Sequence, residues 1–410
     1  MFLRTCGMLL VIALMAPTSE AMNFNKPQLS LPDLPSPITY SNFWTPPSRS
    51  TSESCQASIP DAFKKTKVAR RTDSGTLINA AAYFGNLVTR SISTQSTEVR
   101  QSIKSEILDW AKSNYFSQPD MSTQWSPVYI QSNLIRLTAF YVSHMNQLNE
   151  LSVQEKQTLA LWIEPMLRYQ KGKEKNGSDD SRAASGVALM AWGSVMEDQT
   201  LVKKGMEQWA EALPYLLDAT DNLKRQVSHK GVPLKHLSLE DEYNLTMAHI
   251  VEGAVILENL GISDIFSAQL NDKKLIDAIE WWLPVIETPP PQFRGATRLN
   301  SHNWHVGWLP IFISNERSAN TSALVQKILN QLTVNGARSF RAVSLGGATD
   351  CLWSWEATKI NLPTDLPPQA KAFCSAALGQ WKRGDSNGKW INKVTELGLD
   401  QVACERLMRQ

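Results

Sequence analysis

Apolar residues recur at helical spacing along almost the whole body of this chain, and few stretches alternate as strands do. Leu77, Ala81, Phe84, Leu87, Val88 and Ile92 follow a period of about 3.6 residues. Ile103, Ile107, Leu108 and Ala111 mark a second helix, and segments 134–145 and 159–169 a third and a fourth. Segment 183–196 is apolar on nearly every side, as expected of an inner helix surrounded by others. A short polar link separates it from 201–217, so these two are expected to pack antiparallel. Segments 243–260, 275–285 and 324–332 continue the series. Roughly ten helices joined by short loops mean stacked helical hairpins: a bundle, a solenoid or an α/α toroid. No strict repeat of fixed period is present, which weakens an ordinary solenoid. Thr288-Pro289-Pro290-Pro291 breaks the pattern and opens a long loop through Asn303, a kind of segment that often carries function.

The ends are organised differently. Arg4 supplies a positive start, Met8 to Ala16 an apolar run, and Ser19-Glu20-Ala21 a small-x-small cleavage site. This reads as a signal peptide over 1–21, and the run is too short to span a bilayer. An anchor helix left in place is the competing reading. Export places the mature chain in the periplasm or outside the cell, with no membrane span after cleavage. Residues 22–59, rich in Pro and Ser, read as an extended arm, 60–346 as the helical body and 347–410 as a tail. Four mature cysteines, Cys55, Cys351, Cys374 and Cys404, allow three pairings in an oxidising compartment, with at least one bridge expected to tie the tail. None is spaced as C-x-x-C, so no zinc site is expected, and no cofactor is implied. The net charge of +2 gives no global field for nucleic acid, so an anionic partner must be held by a local patch.

Several segments resemble the alginate lyases. Gly85-Asn86-Leu87-Val88-Thr89-Arg90 and then Ile107-Leu108-Asp109-Trp110-Ala111 resemble the family's first hairpin, where a Lys-Leu-Val-Thr-Arg run precedes a Leu-Asp-Thr-Trp-Ala run. Ala188-Leu189-Met190-Ala191, leading to Glu207-Gln208-Trp209, resembles its central inner helix and the helix after it. Gly307-Trp308-Leu309 and Leu345-Gly346-Gly347 resemble two later motifs, and Cys55 sits where the family's early cysteine does. The matches run in the family's order from Cys55 to Gly347. The resemblance implies an all-α fold, an incomplete (α/α) toroid of antiparallel helical hairpins. It also implies β-elimination on a uronic-acid polysaccharide.

Such an elimination needs a base for the C5 proton, a neutraliser for the uronate carboxylate and a proton for the leaving oxygen. A tyrosine can do the first and last jobs when nearby cations lower its pKa. Against the family's Asn-Asn-His motif this chain places Asp179, Asp180 and Ser181, so the histidine is missing and carboxylates replace amides. Arg182 follows and is the candidate neutraliser, while Asp179 and Asp180 equally suit a helix cap. The family's arginine and catalytic tyrosine, seven residues apart, are matched by His236 and Tyr243, two helical turns or roughly 10 Å apart. Tyr243 also fits as an ordinary core aromatic. Loop 300–305 holds His302, Asn303, Trp304 and His305, with Trp308 just beyond. Either histidine could replace the missing one, and the indoles could stack on sugar rings. Lys67 and Arg70, in a basic run before the first helix, are candidates for a lid that attracts a polyanion. Two further readings stand beside the lyase. One is a glycoside hydrolase on the same toroid, using Asp179 or Asp180 with a carboxylate from 240–242. The other is a non-catalytic polysaccharide-binding protein of an export or modification system.

Overall fold

The computed structural model describes residues 34–35, 38–44, 46, 74–117, 127–171, 179–228, 238–270, 273–287, 306–314, 323–329, 341–342, 347–348, 351–353, 366–381, 388–397, 399, 404 and 407–408. Eight long helices carry the body: α1 (Ser74–Ser93), α2 (Thr97–Lys112), α3 (Pro127–Gln147), α4 (Val153–Lys171), α5 (Asp179–Val195), α6 (Gln199–Ser228), α7 (Ser238–Asn259) and α8 (Leu275–Glu287). The short α9 (Trp308–Ile313) follows, and residues 323–329 are helical. Two-residue strands form two small hairpins, β1 (Gln269–Leu270) with β2 (Lys273–Lys274), and β3 (Arg341–Ala342) with β4 (Gly347–Ala348). Near the C-terminus lie α10 (Ala370–Trp381) and α11 (Lys389–Glu396), which the periodicity did not single out.

Tight links make the hairpins. Ser96 caps α2 by accepting the Val99 N–H at 3.2 Å. Ser152 and Glu155 form a capping box ahead of α4: the Ser152 N–H donates to Glu155 at 2.8 Å, and the Glu155 N–H donates back to the Ser152 hydroxyl at 3.2 Å. Asp198 accepts the Leu201 N–H at 3.0 Å at the start of α6. Just before it, Glu197 turns the chain with a φ of 55°.

The α5–α6 hairpin is the tightest. A Cβ built on Gly186 would stand 2.6 Å from the Gly205 carbonyl, and one on Gly205 would stand 2.7 Å from the Met190 amide. Gly193 faces Val202 in the same way. The pairs 186–209, 190–205 and 193–202 define an antiparallel register in which backbone lies on backbone. On α7, the Trp209 indole N–H donates to the Ile250 carbonyl at 3.0 Å.

Alternate helices form two layers. The odd helices α1, α3, α5 and α7 pack side by side as an inner row, with α9 against α7. The even helices α2, α4, α6 and α8 lie behind them. Because each hairpin is antiparallel, α3, α5 and α7 run parallel and begin at one end of the row, opposite the short links. The row is curved. Arg136 of α3 forms an ion pair with Glu252 of α7, two places along. In a flat row those axes would stand roughly 18 Å apart with α5 between them, and the body of α5 would block the direct path between the two side chains. Curved row, antiparallel hairpins and outer layer together make the α/α toroid.

One apolar core runs through the whole array, from Phe43 and Trp44 to Trp353. A second, small core gathers Ala370, Cys374, Ala377, Ile391, Val394, Leu399, Cys404 and Leu407, tied by a Cys374–Cys404 disulfide. Cys351 is also disulfide-bonded, to a partner outside the described residues. Cys351 to Trp353 belong with the helical body: all three are buried, and Leu352 and Trp353 lie in the main core. Among the described residues, no helix is long and apolar enough to cross a membrane.

Candidate functional site

The concave face of the inner row is the place where an α/α toroid can hold a ligand, so the facing of each inner helix decides which side chains reach it. On α7, Tyr243 and Glu252 are nine residues apart, about two and a half turns, so they point to opposite sides. Tyr243 points outward. Its ring lies edge-on to Trp282 of α8, centroids 4.7 Å apart, and its hydroxyl shares a 2.8 Å hydrogen bond with Thr220 of α6. Trp282 in turn donates to Asn244 at 2.9 Å. Burial raises the Tyr243 phenol above its ordinary pKa, only partly opposed by the Thr220 bond. The tyrosine expected to act as base is therefore a sealed joint between layers, and that expectation is corrected.

Arg182, in the first turns of α5, shares the α6-facing side of that helix with Gly186 and Gly193, and its guanidinium lies 3.7 Å from the Glu211 carboxylate of α6. Trp308 is fully buried, with its ring 6.3 Å from Phe312, so it builds the core and offers no face to a sugar. Lys67, Arg70, His236, His302, Asn303, Trp304 and His305 lie outside the described residues, as does the Asp180 side chain, although Asp180 itself falls in the first turn of α5.

Inward-pointing groups show what the concave face contains at mid-depth. Arg136 and Glu252 meet there, and Asn133 accepts from Arg136 at 3.4 Å. The Arg136 guanidinium also sits 5.5 Å from the Phe140 ring centre. Trp353 donates its indole N–H to the same Glu252 oxygen at 3.3 Å. Burial pushes the Glu252 carboxyl above the usual carboxylate range, against the pull of Arg136 and the Trp353 N–H. His249, one turn before Glu252, is buried, and burial with the nearby Arg136 charge lowers its pKa to about 3. It is neutral in the folded protein.

That neutrality has a pH consequence. The folded state refuses a proton that the unfolded chain accepts below the ordinary histidine value of 6.5. The stabilisation is complete above that value and is lost as pH falls toward 3, by about 1.4 kcal/mol per pH unit. Urea midpoints of the wild type should therefore fall more steeply between pH 6 and pH 4, taken as approximate bounds, than those of His249→Gln. Parallel curves for the two proteins would remove His249 as the cause.

The residues that build this face gave a weak signal in the sequence. Arg136 and Glu252 are single charges inside otherwise apolar helical runs, and a charge in such a run is buried only when paired. Their pairing across 116 positions is what sequence reading could not supply. Among the described residues, no group of three His, Cys, Asp or Glu side chains is placed to hold a metal ion.

The packing above defines the class, an α/α toroid. No protein-family model matches the chain. No curated protein matches it in sequence. Among solved structures it is similar to alginate lyase A1-III. One variant complexed with tetrasaccharide shares 12% identity over 82% of this chain and 92% of that one, with a TM-score of 0.49. A second variant, also complexed with tetrasaccharide, gives 12% identity, coverage of 81% and 90%, and a TM-score of 0.48. Alginate lyase A1-III from Sphingomonas species A1 gives 12%, 81% and 91%, and 0.47.

Proposed function

We propose that this protein is an exported polysaccharide lyase that cleaves a uronate-containing polymer by β-elimination. The reading is supported by the ordered motifs between Cys55 and Gly347 and by the helix array that carries them. The observation that carries it furthest is the parallel course of α5 and α7. The altered Asp179-Asp180-Ser181 motif opens α5, and α7, which packs beside α5 and runs the same way, begins at Ser238, so these two helix starts stand together at one end of the row.

With Tyr243 turned to the outer layer, the proton work falls to imidazoles. In this reading His236 takes the C5 proton, a double bond forms between C4 and C5 as the C4–O bond breaks, and the leaving oxygen takes a proton from water. His302 or His305 neutralises the carboxylate. Lys67 and Arg70 draw the polyanion in, and Asn303 and Trp304 contact the sugar.

Following ultraviolet absorbance of the conjugated unsaturated uronate during incubation with polyuronates tests this. The His236→Ala variant should lose activity by about a hundredfold or more, the usual weight of a positioned proton-transfer group. The Tyr243→Phe variant should keep it within about twofold, and should lose only about 1 kcal/mol of stability with its buried hydrogen bond to Thr220. A Tyr243→Phe enzyme without activity would return the phenol to the mechanism. New reducing ends without absorbance would instead point to hydrolysis.

The packing of Tyr243 between the layers favours one second reading, a non-catalytic polysaccharide-binding toroid. Retained polyuronate binding with neither absorbance nor new reducing ends would establish it.

A further inference from the structure

Two segments far apart in the sequence, 40–44 and 347–353, meet inside the ring. Gly347–Ala348 packs against α1. Six residues later the Trp353 ring stands edge-on to Phe140 of α3, centroids 5.7 Å apart, and its indole bonds to Glu252 of α7. Within six residues the chain thus passes from α1 to α7, across α3 and α5. The convex side is occupied by α2, α4 and α6, so this segment crosses the concave side.

The N-terminal arm joins it there. Trp44 stacks on Phe140 at 4.8 Å and donates its indole N–H to the Leu352 carbonyl at 2.8 Å. Asn259, the last residue of α7, donates to the Phe43 carbonyl at 3.2 Å. Tyr40–Asn42 packs against α5, and Pro35 lies beside Gly261, just past the end of α7. Asn259, Gly261 and Tyr40, which lies near Glu197 and Asp198, mark the short-link end of the row, and Phe140 and Glu252 stand above them toward mid-depth. Phe43, Trp44, Phe140, Leu352 and Trp353 are each at most 2% exposed.

We infer that Phe43–Trp44 and Cys351–Trp353 form a floor that seals the concave face at its short-link end, leaving a blind cup that a sugar chain enters and leaves only by the opposite mouth, where α3, α5 and α7 begin. The seal stands on packing alone. The identity of its ligand as an acidic polysaccharide rests on the reading proposed above. A floor of this kind separates a cup from a tunnel: no polymer threads the ring, and every bound chain must turn back or stop above Phe140.

Hydrogen exchange on the full-length, oxidised protein tests both parts. Trp353→Ala should raise exchange by roughly tenfold or more at amides around Phe140, Glu252 and residues 40–44, because the floor is one cooperative unit. Trp353→Phe keeps the ring but removes the bond to Glu252, and should give a smaller rise at the same places, which covers the case of an alanine variant that does not fold. Unchanged exchange at 40–44 in both variants overturns the floor. Adding an oligouronate to the wild type should then protect the starts of α3, α5 and α7 and leave 40–44, 148–152 and 196–198 unchanged. Protection reaching those short links overturns the cup. Loosening in the variants with no protection anywhere by the oligouronate upholds the floor and removes the polysaccharide reading instead.

Discussion

Replacing Gly186 with alanine should cost about 3 kcal/mol or more of stability, the upper range for forcing extra volume into a packed core. The single added carbon would stand 2.6 Å from the Gly205 carbonyl, 2.7 Å from the Trp209 amide and 2.9 Å from the Trp209 Cβ. The first two are main-chain atoms in the middle of long helices, so neither can rotate aside as a side-chain end would. Relief requires α5 and α6 to separate, and α5 is the centre of the inner row, packed on α3 and α7 as well. Gly205→Ala meets the Gly186 carbonyl at 2.6 Å and should cost a similar amount. The double variant should cost much less than the sum, because one separation of the helices relieves both. Denaturant midpoints of the two single variants and the double check this. Full additivity would show that the two glycines do not share one contact.

The same hairpin shows how far the sequence could be read. Segment 183–196 is apolar on nearly every side because α3, α6 and α7 all touch α5, and burial on all faces leaves that mark in a sequence. The polar link at 196–198 shows the antiparallel turn directly. Helices and hairpin order are local properties, written in spacings of three and four residues, and they are legible. The facing of Tyr243 is not. A tyrosine on an amphipathic helix between two layers satisfies the same periodicity whether it looks into the ring or out of it. Only the Thr220 and Trp282 partners, on α6 and α8, decide the matter. Trp308 misleads in the same way: its place after a polar, aromatic loop suggests a sugar platform, while its neighbours make it core. Nor does composition show that residues 351–353, at the start of an apparent tail, return to fill the middle of the ring. That knowledge is long-range, carried by the Trp44 bond to Leu352 across 308 positions.

Removing either partner of the buried Arg136–Glu252 pair should be the other large effect. Both side chains are at most 2% exposed, so Glu252→Leu leaves a guanidinium beside Phe140, and Arg136→Met leaves a buried carboxyl that loses its ion pair and takes up a proton beside the Trp353 indole. Each single change should cost about 3–5 kcal/mol, the usual loss when one partner of a buried pair is removed. The double change Arg136→Met with Glu252→Leu strands no charge and keeps the volume, so it should recover most of that loss, giving a strongly non-additive cycle. Stability and closure should then part company. The apolar double variant restores the midpoint of unfolding, yet Trp353 has lost its acceptor on α7, so exchange at 351–353 and 40–44 should stay faster than in the wild type. A double variant as protected there as the wild type would mean that the aromatic stack on Phe140 holds residues 40–44 and 351–353 together without help. A double variant no more stable than the single ones would mean that Arg136 and Glu252 do not strand each other, and that the ring's curvature is held by other contacts.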